Sequence, residues 1–254
     1  MSRSVGVVVP AYEPDLPLLV EYLQDLTRVL EPAALIVELD DPDPETARAL
    51  EDAPATVNVA DRRRGKGAAV TAGFEALDTD VLAFADADGS TPARSIGDVL
   101  DAVQSGQADV AVGSRRHPAA EVRSHQTVFR QYLGDVFAWL ARRFLDVSLS
   151  DYQCGAKALT REAWTAIREH LYEPGFAWDV ELVAMADALG FAVEAVPVTW
   201  QDHPDSTVAT TRVVPELLRA LLVTRRRSRR LRAGADPSRP PHDSESPPLV
   251  HRQR

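Results

Sequence analysis

The chain has 254 residues, 45% of them hydrophobic, with one cysteine and a formal net charge of −10. This length predicts one α/β domain with a tail, and a single cysteine excludes an internal disulfide framework and fits a reducing compartment. The chain shows no charged-then-apolar leader and no uncharged apolar run of about 18 residues, so we expect neither a signal peptide nor a membrane-spanning helix.

Charge is distributed unevenly along the chain. Residues 1–211 carry −17, residues 212–232 carry +7, and residues 233–254 are neutral overall. Such an acidic body opposes nucleic-acid binding, and the short basic segment predicts a local docking surface. Only two of the 28 basic residues are lysines, Lys66 and Lys157. An acidic, lysine-poor composition is typical of an archaeal or halophilic source or of a GC-rich genome.

The first half of the chain alternates between apolar runs of strand length and helical patterns. Continuous apolar strands are expected when helices cover both faces of a sheet, so the alternation predicts a mostly parallel sheet between two helical layers. The predicted strands are residues 5–9, 34–39, 56–59, 81–85 and 109–112, and the predicted helices are residues 16–30, a short helix from Asp43-Pro44, 65–77 and 91–104.

The alternation weakens in the second half of the chain. The pattern there predicts a polar loop over 115–126, an amphipathic helix over 127–145, a loop over 151–159 that returns to a strand, a helix over 178–189 closed by Gly190, a strand over 191–196 and a helix over 213–232. Residues 233–254 contain five prolines among serines and charged residues, which predicts a disordered tail.

Two carboxylates follow the apolar run of residues 81–85. Asp86 and Asp88 are separated by one residue, so on an extended chain their side chains point to the same side. The carboxyl end of a strand is where open α/β sheets bind ligands, and two hard oxygen donors suit Mg²⁺ or Mn²⁺ with a substrate diphosphate completing the coordination. Taken alone, the pattern equally fits a solvated aspartate-rich turn.

An ordered series of short motifs accompanies this pair. The motifs are Val9-Pro10-Ala11-Tyr12-Glu13, Asp40-Asp41, Gly65-Lys66-Gly67, Asp86-Ala87-Asp88-Gly89-Ser90-Thr91, Gly113-Ser114-Arg115, Asp151-Tyr152-Gln153-Cys154-Gly155-Ala156-Lys157, Trp178-Asp179-Val180-Glu181-Leu182 and Pro197-Val198-Thr199-Trp200. In this order and spacing the chain resembles family 2 glycosyltransferases of GT-A fold over residues 5–206. It is most similar to the dolichyl-phosphate glucosyltransferases and mannosyltransferases.

The resemblance implies a nucleotide-sugar site with a divalent metal, Mg²⁺ or Mn²⁺. Asp88 would bind the metal that bridges the two phosphates, and Asp86 would be a metal ligand or a partner on the ribose side. The glycines around Lys66 would let backbone approach a ligand while the lysine supplies a cation. The implied nucleotide-sugar-binding residues are Pro10, Tyr12, Glu13, Asp40, Lys66 and Asp86.

The resemblance also implies phosphate ligands and a catalytic carboxylate. Arg115, Arg130 and Lys157 are the candidate phosphate ligands, because guanidinium and ammonium groups pair with phosphate oxygens. Asp151 is the first candidate base and Asp179 the second. A phosphate monoester has a second pKa near 6 and is already mostly anionic at neutral pH, so we expect Asp151 to position the acceptor or metal as much as to take a proton.

The implied reaction is an inverting transfer of a hexose from a nucleotide diphosphate sugar to a dolichyl or polyprenyl phosphate, in a glycan or protein N-glycosylation pathway. Gly89-Ser90 favours UDP-glucose over GDP-mannose. Two departures from the family pattern bear on specificity. Asp40-Asp41-Pro42-Asp43 replaces the usual Asp-Asp-Gly-Ser turn beside the nucleotide, and Ala156 replaces a phenylalanine near the acceptor.

The basic segment predicts a membrane contact on the cytoplasmic face. Leu217, Leu218, Leu221 and Leu222 form an apolar stripe that runs into the arginines of residues 225–232, as in amphipathic helices on anionic lipid. We therefore divide the chain into a GT-A domain (1–211), a basic amphipathic membrane-surface helix (212–232) and a disordered tail (233–254).

Three alternatives stay open at this point. A soluble glycosyltransferase with a non-lipid acceptor would not need the basic helix. A haloacid-dehalogenase-type phosphatase would use Asp86 as its nucleophile. A non-catalytic sugar-nucleotide-binding module would not need both carboxylates. Cys154 is interpreted as a small packed thiol, because no histidine lies near it in the sequence.

Overall fold

The computed structural model describes residues 3–123, 139–201, 210–234 and 246–252. The strands are β1 (Val5–Tyr12), β2 (Ala34–Asp40), β3 (Thr56–Ala60), β4 (Val81–Ala85), β5 (Val110–Ser114), β6 (Glu121–Val122), β7 (Ala156–Thr160), β8 (Val193–Pro197) and β9 (Thr199–Trp200). The helices are α1 (Leu16–Leu30), α2 (Pro44–Ala49), α3 (Lys66–Ala76), α4 (Ala93–Gln104), α5 (Arg161–Ile167), α6 (Trp178–Ala188), α7 (Thr210–Arg232) and α8 (Leu249–Arg252).

Seven strands form one sheet in the order β3-β2-β1-β4-β7-β5-β8, and β6 pairs with β9 in a small second sheet. The pairs in the large sheet are parallel except for β7, which runs antiparallel between β4 and β5. The predicted mostly parallel sheet is therefore confirmed. The register pairs Ala85 with Ala156, so the loop before β7 lies beside the residues that follow β4.

Helices cover both faces of the sheet, as predicted. Successive side chains of a strand point to opposite faces. Leu82 and Phe84 of β4 accordingly pack in the cluster that contains residues of α3, α5 and α6. Val81 and Ala83 pack in the cluster that contains residues of α1 and α4. These two buried layers hold β4 in the middle of the domain, so the residues that follow it have a fixed position.

Short polar residues define several helix starts. The Asp43 carboxylate accepts hydrogen bonds from the backbone N–H groups of Glu45 and Thr46, with Pro44 in the first turn of α2. This is the predicted helix start, and it satisfies N–H groups that have no partner within the helix. Asp41, with φ of 47°, precedes it in a left-handed conformation. Asp43 thus ends the unusual turn after β2 by capping a helix.

The structure corrects two predictions about loops and tail. Residues 121–122, predicted as loop, form strand β6. Residues 249–252, predicted as disordered, form α8, in which Leu249 is buried and its N–H donates to the Leu171 carbonyl oxygen. Residues 139–144 are helical, as predicted, whereas 124–138 and 235–245 lie outside the described residues.

Helix α7 packs against the domain along one face only. Leu221 is 1% exposed, whereas the adjacent Leu222 is 55% exposed. The predicted apolar stripe is therefore divided between the core and the surface, and the side chain of Leu217 lies outside the described residues. Within the described ranges, no helix is both long and apolar enough to cross a membrane.

Candidate functional site

The predicted donor-site residues follow three neighbouring parallel strands. Tyr12 at the end of β1 pairs in register with Asp40 at the end of β2. Val8 pairs with Phe84, so continuing the parallel register places Asp86 level with Pro10 and Asp88 level with Tyr12 at the end of β1. The carboxyl ends of parallel strands share one edge of a sheet, which is where open α/β sheets bind ligands.

The loop after β4 is held tightly against the loop before β7. The Asp86 N–H donates to the Gly155 carbonyl oxygen at 3.0 Å. A Cβ atom at Gly155 would overlap the Asp86 carboxylate, so only glycine fits there. The Asp88 carboxylate accepts the Ser90 N–H at 2.9 Å. Both aspartates are half-buried, which leaves part of each carboxylate at the surface.

Asp86 is the outer end of a chain of four alternating charges, which we name the buried charge chain. The Lys66 Nζ lies 2.9 Å from Asp86 Oδ1 and 2.9 Å from Asp179 Oδ2. The Lys157 Nζ lies 2.5 Å from Asp179 Oδ1 and 2.9 Å from the Cys154 carbonyl oxygen. Pairing of this kind is what makes buried charges tolerable. The chain's two lysines are thus both used to hold acidic residues at the site.

Burial and charge set the protonation of this chain. Burial disfavours the charged form of Asp179, but the ammonium groups of Lys157 and Lys66 outweigh it and lower the pKa of that carboxyl. Burial raises the pKa of Asp86, Lys66 opposes the rise, and the nearby carboxylates of Asp88 and Asp179 add to it. A divalent cation at Asp86 would relieve the repulsion between Asp86 and Asp88.

Two predicted roles do not fit these positions. The Lys157 side chain is 0% exposed and paired with Asp179, so it cannot contact a substrate phosphate without leaving the core. Asp179 is buried between two lysines with a lowered pKa, which makes it a poor proton acceptor. Both residues instead fix Lys66, and through it Asp86.

Arg115 and Asp151 form a second, two-pronged ion pair. The Arg115 Nε and Nη2 donate to the two oxygens of Asp151 at 2.7 and 3.0 Å. Burial opposes the ionisation of Asp151, but Arg115 and then Arg116 overcome it and lower the pKa of Asp151 to about 2. A carboxylate with so low a pKa takes up a proton poorly near neutral pH, which favours the expected positioning role of Asp151 over a role as base.

Arg115 is not fully enclosed by this ion pair. Its side chain is half-buried and lies 5.6 Å from the centre of the Trp200 ring. Asp151 thus orients an arginine whose side chain remains partly exposed. Arg130, the other candidate phosphate ligand, lies outside the described residues.

The Asp40 carboxylate accepts hydrogen bonds from neighbouring groups of the protein. Its Oδ2 accepts the N–H groups of Arg64 and Gly65 at 2.6 and 2.9 Å, and its Oδ1 accepts from the Arg64 Nε at 2.7 Å. Arg64 also pairs with buried Glu38 at 2.9 Å. The Asp40 carboxylate is thus buried and already bonded, which places it poorly for the expected contact with a nucleotide sugar. Sequence reasoning missed Arg64, which nothing distinguishes from the adjacent Arg63.

The outer rim of the donor edge is more open. The Tyr12 hydroxyl donates to Glu13 at 3.0 Å, and the Arg63 guanidinium lies 4.0 Å from the centre of the Tyr12 ring. Glu13 is exposed, and Pro10 and Tyr12 are half-buried. These side chains offer an aromatic surface with a cation, which suits stacking on a planar ring.

The glycines around Lys66 have a packing role. Gly65 has φ of 94°, and a Cβ atom there would overlap the Pro174 carbonyl oxygen. A Cβ atom at Gly67 would overlap Trp178. The Ala68 N–H donates to the Pro174 carbonyl oxygen at 3.1 Å. The close packing at these glycines is thus made to residues 173–178, and it holds Lys66 beside the two aspartates.

The protein's donor set for a metal is small. Across the ranges that the structure describes, no group of three or more His, Cys, Asp or Glu side chains is arranged to hold a metal ion. Asp86 and Asp88 offer two carboxylates with exposed oxygens at one loop. Two hard ligands fit a cation that keeps several positions for water and phosphate oxygens, as Mg²⁺ does.

Comparisons with known proteins identify the family of this chain. The family model described as Glycosyl transferase family 2 matches residues 6–164. The chain is 34% identical over 222 residues to glycosyltransferase AglD of Haloferax volcanii, covering 82% of this chain and 35% of that protein. It is 31% identical over 159 residues to the dolichyl-phosphate beta-glucosyltransferase of Saccharomyces cerevisiae, covering 58% of this chain and 48% of that protein. The chain thus spans a third to a half of these relatives.

A further relative and a solved structure are covered more fully. The polyprenol monophosphomannose synthase of Mycolicibacterium smegmatis is 32% identical over 215 residues, which cover 80% of this chain and 79% of that protein. The glucosyl-3-phosphoglycerate synthase of Mycobacterium tuberculosis, solved with Mn²⁺, UDP-glucose and phosphoglyceric acid, matches with a TM-score of 0.69 at 16% identity, covering 88% of this chain and 80% of that one. At that identity the likeness concerns the GT-A fold. Because the family model spans well over half of the residues, the chain belongs to glycosyl transferase family 2.

Proposed function

We propose that this protein is an inverting, metal-dependent hexosyltransferase. It moves a hexose from a nucleotide diphosphate sugar to a dolichyl or polyprenyl phosphate, in a glycan or protein N-glycosylation pathway. The observation that carries the proposal is the pair Asp86 and Asp88 at the carboxyl end of β4, backed by Lys66. Relatives named for dolichyl-phosphate and polyprenol substrates support the acceptor class. Family membership excludes the phosphatase alternative for Asp86.

The donor would lie along the ends of β1 and β4. Pro10, Tyr12 and Glu13 would line the nucleotide end, and Asp88 with Asp86 would hold Mg²⁺ or Mn²⁺ at the diphosphate. Such a cation, when bound, neutralises the charge that develops on the departing diphosphate. Lys66 would hold Asp86 in place through their ion pair. UDP-glucose is the favoured donor, on the glucosyl-type residues that follow Asp88.

The acceptor would not need a protein base. A phosphate monoester oxygen is mostly anionic at neutral pH and can attack the anomeric carbon from the side opposite the diphosphate. This agrees with the states of Asp151 and Asp179, whose pKa values are both lowered by paired cations. Arg115, oriented by Asp151, would bind the acceptor phosphate, with Arg130 as the predicted second ligand.

Helix α7 would place the enzyme on a membrane surface, at its cytoplasmic face. Leu222 and Arg226 are exposed on its outer side, with Arg229 beside them. Each arginine near an anionic lipid surface contributes about 1 kcal/mol of binding. Binding to vesicles with and without anionic lipid, measured by co-sedimentation, tests this part of the proposal. Equal binding to both, or none to either, contradicts it.

A donor panel tests the proposed reaction. The full chain is mixed with Mn²⁺ or Mg²⁺, polyprenyl phosphate and each of several nucleotide sugars, and the glycolipid product is measured. We expect turnover with one hexose donor and an inverted anomeric configuration in the product. A well-folded protein that forms no glycolipid with any donor contradicts the proposal. Transfer to a small phosphorylated acceptor instead would support the alternative with a non-lipid acceptor.

Substitution of single aspartates tests whether Asp88 belongs to the metal site or whether loss of any carboxylate lowers turnover. Asp88→Asn should lower turnover by at least about 100-fold, because one of two metal ligands is lost. Asp101→Asn is the matched control, since Asp101 is exposed on α4 and should leave turnover unchanged. Turnover that survives Asp88→Asn would show that the metal lies elsewhere.

A further inference from the structure

A buried ion pair joins the basic helix to the domain. The Arg227 Nη1 of α7 lies 2.7 Å from Glu181 Oε1 of α6, and both side chains are buried. The Arg227 guanidinium also lies 4.2 Å from the centre of the Tyr172 ring. Arg227 is buried, whereas an arginine that contacts a membrane surface must be exposed, as Arg229 is. Membrane binding therefore does not explain the Arg227–Glu181 pair.

The second oxygen of Glu181 holds a loop. Its Oε2 accepts the backbone N–H groups of Tyr172 and Glu173 at 2.7 and 2.9 Å. One carboxylate therefore ties α7, through Arg227, to the segment of residues 172–174. Hydrogen bonds to an ionised acceptor are about twice as strong as neutral ones, so the charge on Glu181 matters for this tether.

The same segment supports the turn that carries Lys66. The Pro174 carbonyl oxygen accepts the Ala68 N–H at 3.1 Å and leaves no room for a Cβ atom at Gly65. Lys66 lies between Gly65 and Ala68 in the sequence, and its Nζ is 2.9 Å from Asp86 Oδ1. A continuous series of contacts thus runs from α7 to the proposed metal-binding loop.

We propose that Arg227 is a positioning residue for the donor site, acting through Glu181 and residues 172–174 on the turn that carries Lys66. The functional part of this inference rests on the proposed function, and the structural part does not. Burial raises the pKa of Glu181 to about 7 even with Arg227 beside it. Without Arg227 the pKa of Glu181 would rise further, so less of the carboxyl would be charged and the tether to Tyr172 and Glu173 would weaken.

Hydrogen exchange of the full chain tests the inference without requiring turnover. Arg227→Met should speed amide exchange in peptides that cover residues 66–70 and 172–174, by about tenfold for the Ala68 amide. Arg229→Met is the matched control, because Arg229 lies on the same helix with a half-exposed side chain and only a long 3.8 Å pair to Asp146. It should leave exchange at those peptides unchanged.

A double variant separates positioning from general destabilisation. In Glu181→Met with Arg227→Met the ion pair is replaced as a unit by apolar side chains. Stability should therefore exceed that of Arg227→Met alone, in which Glu181 is buried without its cation. The N–H groups of Tyr172 and Glu173 still lose their acceptor. Fast exchange at the Ala68 amide should therefore persist in the double variant despite its regained stability. The single variant Arg227→Lys keeps a cation beside Glu181, so its Ala68 amide should exchange more slowly than in Arg227→Met. If Ala68 exchange in these variants changes only in step with the free energy of unfolding, the inference is overturned.

Steady-state kinetics with the nucleotide sugar test the role of Arg227 in the donor site. We expect Arg227→Met to raise the KM for the nucleotide sugar about tenfold, with a smaller change in kcat, since misplacement of a positioning group by about 1 Å is costly. Raised exchange with an unchanged donor KM in an active enzyme would overturn the role in the donor site. Raised exchange in a protein that transfers no sugar would uphold the structural tether and refute the proposed function.

Discussion

Lys157 and Arg28 form ion pairs with the same N–O distance in opposite surroundings. The Lys157–Asp179 pair is 2.5 Å long, with side chains 0% and 2% exposed. The Arg28–Asp25 pair is also 2.5 Å long, with side chains 74% and 46% exposed. Breaking a buried pair costs about 3–5 kcal/mol because an uncompensated charge remains, whereas an exposed pair contributes about 0–1 kcal/mol.

Methionine at each position removes the charge and keeps an unbranched chain. We expect Lys157→Met to lower the free energy of unfolding by about 3 kcal/mol, the low end of that range, because Lys66 still pairs with Asp179 at 2.9 Å. Arg28→Met should lower it by less than about 1 kcal/mol. Urea unfolding of both variants measures the difference, and the Tm of Lys157→Met should fall by roughly 6–12 °C.

The outcome also bears on the site. With Lys157 absent, Asp179 has one cation instead of two, so it should hold Lys66 more strongly and leave Asp86 less well supported. Turnover of Lys157→Met should fall while that of Arg28→Met stays unchanged. A Lys157→Met variant as stable as Arg28→Met would refute the reasoning, because the buried charge chain would then contribute nothing beyond a surface pair.

Three further outcomes are expected. Gly155→Ala should lower turnover about tenfold or more, since the added Cβ atom overlaps Asp86, whereas Gly175→Ala, with open space around it, should leave turnover unchanged; equal rates would contradict the packing. Asp151→Asn should lose roughly 2 kcal/mol of unfolding free energy at pH 7. Because the folded pKa of Asp151 is lowered to about 2 from 3.8, wild type should keep that advantage above pH 4 and lose it as pH falls toward 2; an advantage independent of pH would mean that Arg115 does not set it. Chelation with EDTA should abolish turnover and added Mn²⁺ should restore it; full turnover in EDTA would exclude a dissociable metal.

Much of the site was visible in local patterns. The strand that precedes Asp86 and Asp88 lies where the apolar run predicts it, and Asp43 caps a helix as its position before a proline predicts. The scarcity of lysine was a signal as well, because both lysines belong to the buried charge chain. Local pattern gave no signal for Arg64, one of three consecutive arginines.

The sequence by itself determined most strands and helices of the sheet domain and which side chains follow the strands, because hydrophobic period and capping act over a few residues. It gave no signal for the short elements β6, β9, α5 and α8. The tertiary structure alone decided what those side chains do. Arg115 meets Asp151 across 36 residues, and Lys157 meets Asp179 across 22. Such pairings depend on the order of strands in the sheet, here on β7 running antiparallel between β4 and β5. That order places cations beside both candidate bases, Asp151 and Asp179, and so lowers the pKa of each carboxyl.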